Sequence, residues 1–393
     1  MKCYLDHAAT TALDPRVFAV MEPYFKERYA NPSSMYQFAQ AARTAIDTAR
    51  ERVAKILRCA PREVIFTSSG TESNNLFLLG VAEAYEKKGR HLIAAKTEHD
   101  SVLKTMKYLE TRGFEVTYLD VDEEGFVHVD ELAQALRPGT LIVSIMYANN
   151  EIGTIQPLAK IAEVLGEHRK KQGTSLPFFH TDACQAAPYL DLSVKTLGVD
   201  AMTLNGGKIY GPKGAGALYL REGVELIPQI HGGGQEHRMR SGTKNVPAIV
   251  GFAEALLLVQ ASREAEIARL IPLRDRLTRG ILEKIPDSRL NGPGINKTGR
   301  LPNNINISFR GIEGEAILLN LDMLGVCASA GSACTSGSLE PSHVIGALGL
   351  GEEWSHSATR FTLGHGTTAE EIDFVLEKLP GLIKELRETS PFV

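Results

Sequence analysis

Cysteine is scarce in this chain: Cys3, Cys59, Cys184, Cys327 and Cys334 are spread over 393 positions, with no C-x-x-C pair among them. That spacing offers neither a disulfide framework nor the paired thiols of a zinc site, and it fits a reducing compartment. Charge of one sign is scarce too. With 43 basic against 47 acidic residues the formal net charge is −4, and the basic residues are scattered, so no footprint for nucleic acid or an acidic membrane surface is present. Long hydrophobic runs are missing as well: the longest, Ala248 to Val259, is interrupted by Glu254 and falls short of the roughly 18 residues a membrane span needs. No basic segment followed by an apolar core opens the chain, so a cytoplasmic location is expected rather than export.

What the chain does have is enough apolar content, 43%, to bury a large core. Amphipathic helical patterns at Gln37 to Leu57, Glu72 to Lys88, Ser101 to Arg112, Val129 to Leu136 and Leu158 to Lys170 alternate with short apolar runs. Those runs, Glu63 to Thr67, His91 to Ala95, Leu141 to Met146, Pro177 to His180 and Ala201 to Leu204, read as buried strands of a mainly parallel α/β sheet. Beyond the glycine run at His231 to Gln235 the alternation changes. Long helical patterns cover Pro247 to Lys284, a strand follows at Asn304 to Phe309, and helices are expected near Glu313 to Met323, Pro341 to Leu348 and Thr368 to Arg387. The division expected is a large domain at 16–261 and a smaller α+β domain made of 1–15 and 262–393.

Chemistry gathers at the ends of the strands. Lys208 lies in Asn205-Gly-Gly-Lys-Ile-Tyr-Gly-Pro-Lys-Gly-Ala-Gly216 and Asp182 in His180-Thr-Asp-Ala-Cys-Gln185, each closing a β-rich run. In open α/β sheets ligands lie beyond the carboxyl ends of strands, so an amine and an acid at two such ends can face one bound molecule. Pyridoxal phosphate (PLP) needs that pair, an amine to bond its aldehyde and a carboxylate to keep its ring nitrogen protonated. Singly, a lysine among glycines is a common turn residue and a strand-end aspartate a common helix cap. Three further strand ends strengthen the case. Phe66-Thr-Ser-Ser-Gly-Thr-Glu-Ser-Asn-Asn75 leads into a helix expected to begin near Glu72, where backbone N–H groups with the Thr71 and Ser73 hydroxyls would hold a phosphate. Thr97-Glu-His-Asp100 supplies His99, and Tyr147-Ala-Asn-Asn-Glu-Ile-Gly153 supplies Asn150.

Cys334 sits in the segment 325–340. Eight of the ten residues from Ser329 to Ser338 are Ala, Gly or Ser, a composition that predicts a mobile tether. A solvent thiol with a pKa near about 8.5 supplies a usable thiolate at neutral pH, so Cys334 reads as a nucleophile carried to and from the cofactor.

From Tyr4-Leu-Asp-His-Ala-Ala-Thr-Thr11 onward the chain resembles the cysteine desulfurases of the NifS/IscS type, within the class V aminotransferase group. The likeness is carried in order by Asn31-Pro-Ser-Ser34, Thr71-Glu72, His99, Asn150-Glu151, Asp182 and Gln185, Lys208, Arg240-Ser-Gly-Thr243, Gly331-Ser-Ala-Cys-Thr-Ser336 and Arg360-Phe-Thr-Leu-Gly364. It implies a fold-type I PLP-dependent transferase with a mainly parallel seven-stranded sheet in its large domain. It also implies the roles. Lys208 bonds the cofactor and moves the substrate proton, Asp182 holds the ring nitrogen, and His99 stacks on the ring. Asn150 and Gln185 meet the ring oxygen, Gly70, Thr71 and Asn205 the phosphate, and Arg360 with Asn150 the substrate. Cys334 takes sulfur from L-cysteine as a persulfide, leaving L-alanine, and passes it to an iron–sulfur scaffold or another acceptor protein. Thr243 resembles the residue that reaches the phosphate from a neighbouring subunit, so a homodimer is implied. No resident metal is implied, only contact of Cys334 with an iron–sulfur cluster during transfer. Cys184 is expected to point away from the cofactor as packing, with Cys3, Cys59 and Cys327 structural.

The chain departs from the family at the phosphate cup. Gly207 stands where histidine is usual, Asn205 where serine is, and Tyr36 where histidine is frequent. A selenocysteine lyase or another class V enzyme, and a sulfur carrier or scaffold that has lost PLP, stand as alternatives; the Cys334 segment argues against transamination, and the retained Lys208, Asp182, His99 and Arg360 against loss of the cofactor.

Overall fold

A computed structural model describes residues 2–330 and 342–390, so Cys334 and most of the 325–340 segment lie outside the described residues. Seven strands form the main sheet: β1 (Val64–Thr67), β2 (His91–Ala95), β3 (Glu115–Leu119), β4 (Thr140–Ser144), β5 (Phe178–Asp182), β6 (Ala201–Asn205) and β7 (Gly216–Leu220). Their order is β1-β7-β6-β5-β4-β2-β3. From β6 through β5, β4 and β2 to β3 every pairing is parallel, whereas β7 runs antiparallel to both β6 and β1. The exception follows from chain length. Only residues 206–215 separate β6 from β7, too few for the crossover that a parallel neighbour requires.

Period-2 alternation assigns the two faces of this sheet. Leu92 and Ala94 of β2 join a core with Phe77, Leu78 and Val81 of the helix Gly70–Tyr85 and with Val102 and Met106 of the helix Asp100–Thr111. Ile93 and Ala95 face the opposite layer, which contains Ile46 and Val53 of Gln37–Leu57, Ile161 of Leu158–Gln172 and Phe252 of Val246–Ala261. Helices therefore cover both faces, and the polar strand ends are left at one edge.

The helical patterns expected over Pro247 to Lys284 form two helices, Val246–Ala261 and Arg263–Lys284, bent by 67°. At the break, Ser262 leaves helical geometry and its Oγ donates to Leu258 O at 2.9 Å. Among the described residues no single helix is long and apolar enough to cross a membrane.

A second, antiparallel sheet orders Ala358–Thr362, Asn304–Phe309 and Ser288–Leu290. The amino-terminal segment ties the two sheets together. Cys3–Tyr4 pairs in parallel with Val326–Cys327, Thr362 N donates to Leu5 O at 2.7 Å, and Thr11 N donates to Gly207 O at 3.0 Å, so residues 3–11 run from the small sheet to the lysine turn.

Candidate active site

Each polar candidate is placed by the way its strand ends. Ser69 caps the helix after β1, accepting from Glu72 N at 3.1 Å, so that helix begins at Gly70, two residues before the expected Glu72. His99 caps the helix after β2, Asp182 is the last residue of β5, paired with Thr203, and Lys208 lies in a single tight turn after Asn205. The carboxyl ends of β1, β2, β4, β5 and β6 thus open on one cavity of about 190 Å³. It collects Gly70, Thr71, His99, Asn150, Asp182, Gln185, Asn205 and Lys208 from the main sheet, and Arg360 from the middle of its strand in the small sheet.

Thr243 is not brought there. It lines a separate hollow with Ser68, Arg240 and Lys244. Ser73, expected to offer its hydroxyl to a phosphate, is fully buried and bonds Thr67 Oγ1 at 2.7 Å. Two residues along a helix is a turn of about 200°, so Ser73 faces the sheet when Thr71 faces the cavity.

Cys184 corrects another expectation, for it lines the cavity rather than pointing away from it. Period-2 alternation stops at Asp182, because its Oδ1 accepts from Cys184 N at 3.0 Å and turns the chain. The thiol lies beneath the helix terminus, where a Cβ built on Gly70 would stand 2.8 Å from Sγ. Burial first and the Asp182 charge second push the Cys184 thiol well above its ordinary range, so it stays protonated and unreactive.

The amino-terminal segment supplies contacts that no local motif announces. Lys208 Nζ donates to Ala8 O at 2.8 Å and Ala9 O at 2.6 Å, and Gln185, expected to meet a ring oxygen, donates Nε2 to Ala8 O at 2.9 Å. Arg360 is 1% exposed. Its Nη2 donates to Asp6 Oδ1 at 2.8 Å and its Nη1 to Asn150 O at 3.1 Å, while Nε is buried with no hydrogen-bond partner among the described residues. A guanidinium that lines the cavity offers N–H donors in the fork geometry that can pair with a carboxylate. His99 is held below the ordinary histidine range by burial, which outweighs the opposing Asp182 charge, so its ring is neutral at pH 7.

Asn74 was missed in the sequence. It donates to Asp182 Oδ2 at 2.8 Å from a fully buried position. Its signal was available: the residues three and four places on, Phe77 and Leu78, are apolar, so Asn74 lies on a buried helix face, where an amide requires partners.

Known proteins resemble the chain over nearly its whole length. The family described as aminotransferase class-V matches residues 3–375. Cysteine desulfurase IscS of Dictyoglomus turgidum is 48% identical over 389 residues, 99% of this chain and 96% of that one. Among solved structures, a NifS-like protein superposes with a TM-score of 0.91 at 37% identity, covering 98% of this chain and 100% of its own. A structure described as SspA in complex with cysteine gives 0.79 at 35% identity, covering 92% and 99%.

Proposed function

The chain belongs to the class V aminotransferase family, and from that premise we infer that it is a PLP-dependent cysteine desulfurase, which converts L-cysteine to L-alanine and keeps the sulfur as a persulfide on Cys334. The observation that carries this reading is the meeting of Lys208, Asp182, His99 and Arg360 in one cavity.

The residues present fit the cofactor. Asp182 has both carboxylate oxygens bonded by donors, which fixes the orientation of the carboxylate where it lines the cavity. Gly70, at the start of a helix, has no space for a side chain, so backbone N–H groups can approach a phosphate closely. Lys208 would hold the cofactor covalently, His99 would stack on its ring, Asn150 and Gln185 would meet the ring oxygen, and Gly70, Thr71 and Asn205 would hold the phosphate. The position of Thr243 away from its own chain's cavity supports its supply by a second copy in a homodimer.

When bound, PLP supplies an electron sink for the pair released at the substrate Cα. Arg360 and Asn150 fix the substrate through its carboxylate, which selects the bond to be broken. Lys208 takes the proton from Cα and returns it to carbon. Cys334 thiolate attacks the substrate sulfur, so that an S–S bond forms as the C–S bond breaks and alanine departs. The persulfide sulfur then passes to an acceptor, an iron–sulfur scaffold or another sulfur-accepting protein, in the cytoplasm. The same reading keeps the cofactor domain at 16–261 and assigns 1–15 with 262–393 to the domain that carries Cys334.

The purified protein with PLP and L-cysteine should release alanine, and sulfide as well once a reductant is added. A protein that binds PLP yet forms no alanine from L-cysteine would refute the assignment. The altered phosphate cup gives a second test. The atoms nearest to a Cβ on Gly207 would be Lys213 Cγ at 3.6 Å, Asn205 Oδ1 at 3.7 Å and Thr10 Oγ1 at 3.9 Å, all ordinary contacts. Gly207→His should therefore be accommodated and should retain PLP on dialysis at least as well as the parent; much faster loss would contradict this view of the cup.

A further inference from the structure

We propose that Asn74 is a positioning residue that aims the Asp182 carboxylate by tying it to the turn that carries His99, a role that rests on the PLP reading above. Asn74 has no exposed surface and lies one helical turn in from Gly70. Its Nδ2 donates twice, to Asp182 Oδ2 at 2.8 Å and to Ser101 Oγ at 2.8 Å. Ser101 Oγ is also 2.8 Å from His99 Nδ1, which accepts the Ser101 backbone N–H at 3.0 Å.

The proton inventory makes this chain directional. Asp182 is acceptor-only as a carboxylate, so the Asn74 amide must present its nitrogen rather than its oxygen. Ser101 Oγ accepts from Asn74, and its own proton is therefore available to His99 Nδ1. That nitrogen accepts both the hydroxyl and the backbone N–H of Ser101, which leaves the imidazole proton on Nε2. One amide thus joins the carboxylate assigned to the ring nitrogen with the imidazole assigned to the ring face.

Packing alone does not account for an asparagine here. Its Oδ1 is buried with no hydrogen-bond partner among the described residues, a cost that a leucine filling the same space would not incur. The amide is retained against that cost by the two bonds its nitrogen makes. Asp182 is also bonded by Cys184, through its backbone N–H on Oδ1 at 3.0 Å and through its thiol, so without Asn74 the carboxylate loses the amide donor on Oδ2.

The test uses the full-length apoprotein reconstituted with PLP labelled with ¹⁵N at the ring nitrogen. The parent should bind it with the ring-nitrogen resonance of a protonated pyridine. Asn74→Leu should bind about tenfold more weakly, the effect of one lost hydrogen bond to a charged group, and its ring-nitrogen resonance should move toward the unprotonated position. Ser101→Ala, which leaves the Asn74 to Asp182 bond in place, should shift both quantities in the same direction by less, and the double variant should be no worse than Asn74→Leu alone. If the parent fails to take up PLP, the functional reading itself fails. If the parent binds PLP with a protonated ring nitrogen while Asn74→Leu matches it in affinity and resonance, the proposal is overturned and the functional reading stands. Should Asn74→Leu not fold, Ser101→Ala decides, and parental values for it overturn the coupling.

Discussion

Lys208→Ala is expected to abolish alanine release from L-cysteine, with a loss of at least about 10⁴-fold, because in the proposed mechanism it removes both the covalent hold on the cofactor and the base at Cα. The visible absorbance of the lysine-bound cofactor should vanish with it. Stability should change little, since Lys208 is only half-buried and its Nζ bonds run to two backbone carbonyls, Ala8 O and Ala9 O, that border the cavity. Rescue by the nearby Lys213 is not expected: it does not line the cavity, and its Nζ donates to Thr11 O at 3.4 Å. Turnover at the parental rate in Lys208→Ala, measured as alanine formed per enzyme, would end the assignment.

Cys334→Ser should divide the reaction in two. In the proposed mechanism substrate binding and loss of the Cα proton rest on Lys208, Asp182, His99 and Arg360, whereas breaking the carbon–sulfur bond needs a soft nucleophile that an alcohol cannot replace. This variant should bind PLP as the parent does and change its spectrum when L-cysteine is added, yet form neither alanine nor persulfide in useful amount. The structure sharpens the control, because the Cys184 thiol lines the cavity. Its protonated state and its place beneath Gly70 argue that it cannot substitute. Mass spectrometry after a brief pulse of L-cysteine should locate the added sulfur on Cys334. Sulfur on Cys184 or Cys327, together with a fully active Ser variant, would transfer the nucleophile's role elsewhere.

Legibility differed from one residue to the next for physical reasons. Lys208, Asp182, His99 and Asn150 could be read because each follows a short apolar run, and a buried strand delivers whatever comes next to the edge of the sheet. Cys184 was misread because alternation was carried past Asp182, where a side-chain bond to the backbone turns the chain. Ser73 was misread because a helix rotates neighbouring hydroxyls to different faces. The antiparallel placement of β7 between β1 and β6 depends on pairings such as Phe66 with Ala217, which no local pattern carries.

By itself the sequence determined the chemical inventory and its stations: an amine, a carboxylate, an imidazole and an anion-binding helix start, each at a strand end, with a lone thiol in a small-residue segment. Such information is local, because apolar periodicity and turn chemistry are properties of a few consecutive residues. Tertiary structure alone decided which groups meet and in what charge state. Lys208 rests on Ala8 and Ala9, about 200 positions away in the chain, Arg360 is held by Asp6 across 354 positions, and Asn74 links Asp182 to Ser101. Burial, which exists only once the chain has folded, then keeps His99 neutral and the Cys184 thiol protonated, because removing water penalises whichever form of a group is charged.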